Sequence, residues 1–168
     1  MVSGSPLRRP LEQVAALPAR LNAEGCVEVM LITSRDTNRW IIPKDRVIPD
    51  LEPHEIAART AQSEAGLIGI AGAGPIGHFI YDNRLSSGVV LPCRVAVHLF
   101  RVTGQLDRWA ERGRREIAWL ASREAAKWVC NLSLQRLIAR VGRSPEFLRP
   151  IVRRAMAPEK STGQARLA

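Results

Sequence analysis

Short apolar runs separated by turn residues fill the first fifty positions of the chain, and at Pro53 the spacing changes to that of a helix. Residues 13–20 (QVAALPAR, interrupted by Pro18), 26–34 (the β-branched CVEVMLITS) and 39–43 (RWIIP) read as strands. Residues 22–25 and 36–38 suit the turns between them. Pro53 fits the first helical position, Glu52 and Glu55 complement the positive N-terminal end, and Gly66 makes the stop. Within this helix Ile56, Ala57, Thr60, Ala61 and Glu64 recur at helical spacing, and the small residues among them let it lie close to a sheet.

Beyond Gly66 the chain is extended and glycine-rich, then strand-like through residues 78–81, with a loop over 82–88. Residues 91–102 (LPCRVAVHLFRV) predict a long strand, 108–115 a charged connector and 116–120 a last short strand. Ser122 can cap a helix over 123–129, and further helices are expected over 132–141 and 145–156. Strands interspersed with helices, without regular βα alternation, imply a mixed α/β sandwich. The expected organisation is a flexible N-terminus over 1–12, one domain over 13–141, a C-terminal helix over 142–157 and a disordered tail over 158–168.

A chain of 168 residues with 46% hydrophobic content can bury one real core. No run approaches the ~18 to 20 apolar residues of a membrane span, and MVSGSPLRRPLEQ lacks the apolar centre of a secretory signal. Cys26, Cys93 and Cys130 are odd in number and form no CxxC pair, which predicts three reduced, buried thiols in a cytoplasmic protein. Charge is uneven: residues 1–100 carry ten Lys/Arg and ten Asp/Glu, whereas 101–168 carry fifteen and six. The whole excess of +9 therefore lies in the later part, where it favours polyanions or simply forms solvated arginine faces.

One motif misleads. GAGPIG over 72–77 matches GxGxxG, but a dinucleotide site needs a strand before it and a helix after it. A helix precedes this stretch, and Pro75 and β-type residues follow, so no Rossmann site is expected. His54, His78 and His98 are scattered, with His98 expected as a packed residue of an apolar strand. Trp40 and Trp119 are expected to close the core or line a cleft, and no GxSxG elbow supports a nucleophilic serine.

Residues 44–67, KDRVIPDLEPHEIAARTAQSEAGL, resemble the box GX5EX7REUXEEXGU of the Nudix hydrolase superfamily, where U is aliphatic. Anchored on Gly66 and Leu67, the motif's arginine falls on Arg59 and its last glutamate on Glu64. Its opening glycine falls on Asp45, and its other three glutamates on Leu51, Thr60 and Ser63. AALPAR, EVMLITSR and NRWIIPK before the helix, and CRVAVHLF and RREIAWLASREAAKWV after it, are similar to the diphosphoinositol polyphosphate and dinucleoside polyphosphate hydrolase branch. The resemblance covers roughly residues 13–141.

That resemblance implies a Nudix-type α/β/α sandwich with a mixed sheet, here with a basic helical C-terminal extension. It implies a box helix that presents glutamates to Mg²⁺, with Mn²⁺ as a substitute, against a diphosphate. Three ligand positions would hold Thr60, Ser63 and Glu64, leaving Glu64 as the one carboxylate for metal and catalysis. Glu55 lies nine residues from Glu64, about 180° round the helix, and cannot share a metal with it. Glu52, Asp45 and Asp50 could contribute only through a rearranged loop. Arg59 and Gly66 are implied to shape the box, and Arg20, Lys44, Arg94 and Arg115 to bind substrate phosphates. The implied function is binding of a phosphorylated small molecule, a nucleoside or inositol polyphosphate, with impaired Mg-dependent phosphohydrolysis. The alternatives are an active hydrolase with a rearranged metal site, or a basic module that binds a polyanion or partner. Nucleic acid is the weaker partner, since aromatics are only 5% of the chain and few could stack on bases.

Overall fold

A computed structural model describes residues 9–149. Eight strands and three α-helices lie within them. The order is β1 (Leu11–Leu21), β2 (Val27–Thr33), β3 (Trp40–Ile41), β4 (Lys44–Arg46), α1 (Pro53–Ala65), β5 (Leu67–Ala71), β6 (Gly77–Arg84), β7 (Val90–Gln105), β8 (Ile117–Ala121), α2 (Ser122–Trp128) and α3 (Leu132–Gly142).

The sheet is mixed. β1 runs parallel to β7, with Glu12 beside Arg94 and Ala19 beside Arg101. On its other edge β1 pairs antiparallel with β4 near its start and with β2 near its end. β7 carries β6 and then β5 along its far edge, and β8 lies against β2. Both faces of the central strands are covered. Val14, Ala16, Met30 and Ile32 pack under Ile56, Ala57 and Ala61 of α1. Ala15, Leu17, Val29 and Leu31 pack with Val95 and Val97 under Ala125, Leu134 and Ile138 of α2 and α3. Burial on two faces explains why β1 and β2 read as apolar runs rather than as alternating strands.

α1 forms where its sequence predicts it. Pro53 opens it, and Glu52 and Glu55 make a reciprocal capping box at its start. Gly66 ends it at φ 68°, the left-handed region, with its N–H on Ala61 and Gln62 carbonyls.

Several expectations need correction. Ser122 is the first helical residue of α2 rather than its cap, because Ala121 takes the cap position and no side-chain cap bond forms. Residues 82–84 extend β6 into the expected loop, since β7 continues to offer partners as far as Val90. Residues 145–148 form a single 3-10 turn (Pro145–Leu148) instead of starting a helix. The rest of the C-terminal helix expected over 142–157, the tail over 158–168 and residues 1–8 of the N-terminus lie outside the described residues. GAGPIG is preceded by strand β5, not a helix, and is followed by β6; the missing helix after it still denies a pyrophosphate site. Cys93 is buried, but Cys26 and Cys130 are exposed because they sit just outside their elements. His98 is packed as expected, its Nδ1 2.8 Å from the Gly72 carbonyl.

Candidate functional site

Glu64 reaches the last turn of α1, where the chain between β7 and β8 folds back over it. Leu106 N–H bonds the Gly66 carbonyl at 2.8 Å, and Glu111 N–H bonds Ser63 O at 3.1 Å. Gln105 Nε2 donates to Ala65 O at 3.3 Å. These bonds satisfy carbonyls that a helix end leaves open. Trp109 completes the cover by lying on Gly66.

Inside this cover is a row of alternating charges. Glu64 Oε1 accepts from Arg115 Nη2 at 3.2 Å. Arg115 Nε also pairs with the Glu111 carboxylate, and its Nη1 donates to the Thr33 carbonyl at 2.9 Å. Glu111 in turn faces Arg35 at 3.6 Å. Glu64 Oε2 is buried and makes no hydrogen bond among the described residues. Burial pushes the Glu64 carboxyl up to about 7, with Glu111 adding to the rise and Arg115 and Lys44 opposing it.

Lys44, on β4, is the second cation near Glu64. Burial lowers its pKa most, and Arg115 adds to the lowering, while Glu64 and Asp36 pull it back up. Its ammonium lies 4.8 Å from the Tyr81 ring centre and forms no salt bridge among the described residues. Tyr81 is held by its hydroxyl donating to Gln13 Oε1 at 2.8 Å.

The sequence-predicted phosphate set does not converge. Arg20 pairs with Glu28 at 3.0 Å and stacks 3.9 Å over Trp119. Arg94 faces Glu12 at 3.8 Å, beside which the register places it. Eight residues of β1 separate Glu12 from Arg20, roughly 26 Å of extended strand, so Arg20 and Arg94 stand at opposite ends. Only Lys44 and Arg115 share the Glu64 neighbourhood, and Arg115 has all three nitrogens engaged internally. Arg59 faces solvent and makes no hydrogen bond or ion pair among the described residues, because its helical position lies off the buried face. The capping box of Glu52 and Glu55 fixes the chain's entry into α1.

The donor set suits a magnesium ion poorly. Mg²⁺ wants near-octahedral oxygen ligands, several of them carboxylates or waters. Thr60 is buried, Ser63 Oγ turns to the Thr60 carbonyl at 3.4 Å, and Glu64 is committed to Arg115. Asp45, on β4, accepts from Arg46 N–H at 2.7 Å, and Glu55, in the first turn of α1, accepts from Glu52 N–H at 2.8 Å. Among the described residues no three His, Cys, Asp or Glu side chains gather where a metal could sit. Trp109, Glu111, Thr33 and Arg35 were not legible as site residues, for each owes its place to contacts remote in sequence.

No protein-family model matches the chain. Two curated relatives from Arabidopsis thaliana do. Nudix hydrolase 12, mitochondrial, is 30% identical over 128 residues, 73% of this chain. The chain spans 59% of that relative's length. Nudix hydrolase 13, mitochondrial, is 29% identical over 174 aligned positions, covering 100% of this chain and 80% of the relative. Among solved structures, a C. elegans Ap4A hydrolase superposes with a TM-score of 0.58 at 16% identity, over 84% of this chain and 100% of that one. A NUDIX hydrolase from Nitrosomonas europaea gives 0.58 at 15% identity, over 84% and 97%. The two solved structures share the fold of this chain.

Proposed function

The chain belongs to the Nudix superfamily, and from that premise we propose that it binds a ligand carrying a diphosphate, a nucleoside or inositol polyphosphate, with Mg-dependent phosphohydrolysis impaired. The observation that carries this reading is Lys44. Its half-buried ammonium lies near Glu64, 4.8 Å from the Tyr81 ring centre, yet it forms no salt bridge among the described residues. A phosphate oxygen would supply the charge-assisted hydrogen bond that burial denies it, worth ~1.5–3 kcal/mol. A fold neighbour that is an Ap4A hydrolase supports a nucleotide-like ligand. Impaired catalysis follows from the donor set: metal catalysis supplies several kcal/mol of charge stabilisation, and one carboxylate already paired to arginine gives a metal little hold.

A panel of nucleoside and inositol diphosphates tests both parts. Thermal stabilisation is expected in the presence of a chelator, with phosphate release at least about a thousandfold below that of an intact box when Mg²⁺ is added. A panel with no stabilising member would overturn the binding reading. Rapid, Glu64-dependent phosphate release would restore the active-hydrolase reading.

A further inference from the structure

We propose that Arg115 is the resident counter-charge of the Glu64 site, a guanidinium standing where a divalent cation would otherwise neutralise the carboxylate. Arg115 is 7% exposed, and its Nη2, Nε and Nη1 are spent on Glu64, Glu111 and the Thr33 carbonyl. Glu111 passes the charge outward to Arg35, while its own N–H ties the covering chain to Ser63 O. The guanidinium is charged at any physiological pH, and its planar fork serves several acceptors at once.

A divalent ion approaching Glu64 would meet a full positive charge already 3.2 Å from the same carboxylate. Its other nearby protein donors would be Glu111, already held between Arg115 and Arg35, and the Thr60 and Ser63 hydroxyls, which are weak ligands for a hard cation. Displacing Arg115 would leave Glu111 with only the longer Arg35 contact and take the guanidinium donor from the Thr33 carbonyl, a penalty for a largely buried ion network. Arg115 therefore clips residues 106–116 onto α1 and occupies the electrostatic role of the metal at the same time. It is a positioning residue, and it does not touch the ligand. The inference rests on the impaired-catalysis part of the reading above and is independent of which ligand binds.

The test has two arms on the full chain. In the first, Mn²⁺ is titrated and free ion is followed by electron paramagnetic resonance. Wild type is expected to leave the free-ion signal intact up to about 1 mM. Loss of signal in wild type that disappears in Glu64→Gln overturns the proposal. In the second, Glu64→Gln, Arg115→Met and the double variant are melted. Arg115→Met should lower Tm by roughly 10 °C, and adding Glu64→Gln to it should lower Tm no further. Additive falls overturn the proposal, as does Arg115→Lys melting no higher than Arg115→Met. The Mn²⁺ arm needs only wild type and Glu64→Gln, so a misfolded Arg115 variant does not spare the idea. A chain that ignores every diphosphate but melts non-additively loses the ligand reading and keeps Arg115.

Discussion

Trp109 lies so close on Gly66 that a single added Cβ would run into its indole. Gly66 is thus constrained twice, by its left-handed φ of 68° and by the ring above it. Gly66→Ala is expected to cost about 2–4 kcal/mol, combining backbone strain with displacement of Trp109. Urea denaturation measures it. Trp109→Ala placed in the same chain should recover the overlap part, and a Gly66→Ala chain as stable as wild type would refute the contact.

Stability should fall as pH rises across the Glu64 transition. The carboxyl titrates at 4.5 when unfolded and at about 7 when folded. Between those values the native state holds the extra proton, so raising pH favours unfolding, and the loss is complete above the folded pKa. Its size is on the order of 3 kcal/mol. Denaturation midpoints from pH 4.5 to 8 should show this slope in wild type and a flatter profile in Glu64→Gln. Parallel profiles would mean that Glu64 is not the titrating group.

Lys44 and the two strand-end arginines should separate cleanly. Lys44→Met is expected to weaken diphosphate binding about tenfold or more, the worth of one charge-assisted bond. Arg20→Ala and Arg94→Ala should each leave Kd within about twofold, since both are paired away from Glu64 and surface pairs contribute little. Calorimetric titration of the three variants decides it. A loss at Arg20 or Arg94 equal to that at Lys44 would place the ligand elsewhere.

Restoring carboxylates should make the site metal-dependent. Thr60 is buried, so Thr60→Glu with Ser63→Glu brings new charge into a dry helix face. Without metal the variant should melt several degrees below wild type; with millimolar Mg²⁺ or Mn²⁺ it should recover, and phosphate release should appear. Melting unchanged by metal would show that two glutamates on the helix are not enough to build a metal site here.

The elements that were legible are those with local causes. α1 was readable because Pro53, the Glu52–Glu55 capping box and Gly66 act within a turn of their own backbone. β2 was readable because burial on both faces leaves a nearly continuous apolar run, and β7 because Cys93, Val95 and Val97 alternate inward along a β-rich stretch. The 3-10 turn at Pro145–Leu148 was not, since Pro145 opens either kind of helix equally well. The partners of Arg20, Arg94 and Arg115 were not legible for a different reason: matching types at matching positions says nothing about which partner each arginine finds.

Residues 44–67 by themselves determined a capped helix with one carboxylate, Glu64, on its inner face, because caps and helical periodicity operate over three or four residues. Only the tertiary structure decided what that carboxylate meets. Arg115 stands 51 residues from Glu64 and 82 from Thr33, and both contacts exist because β8 pairs with β2 and the covering chain lies on the end of α1. Electrostatic partnership depends on a few ångströms in space, which strand register supplies and local sequence cannot.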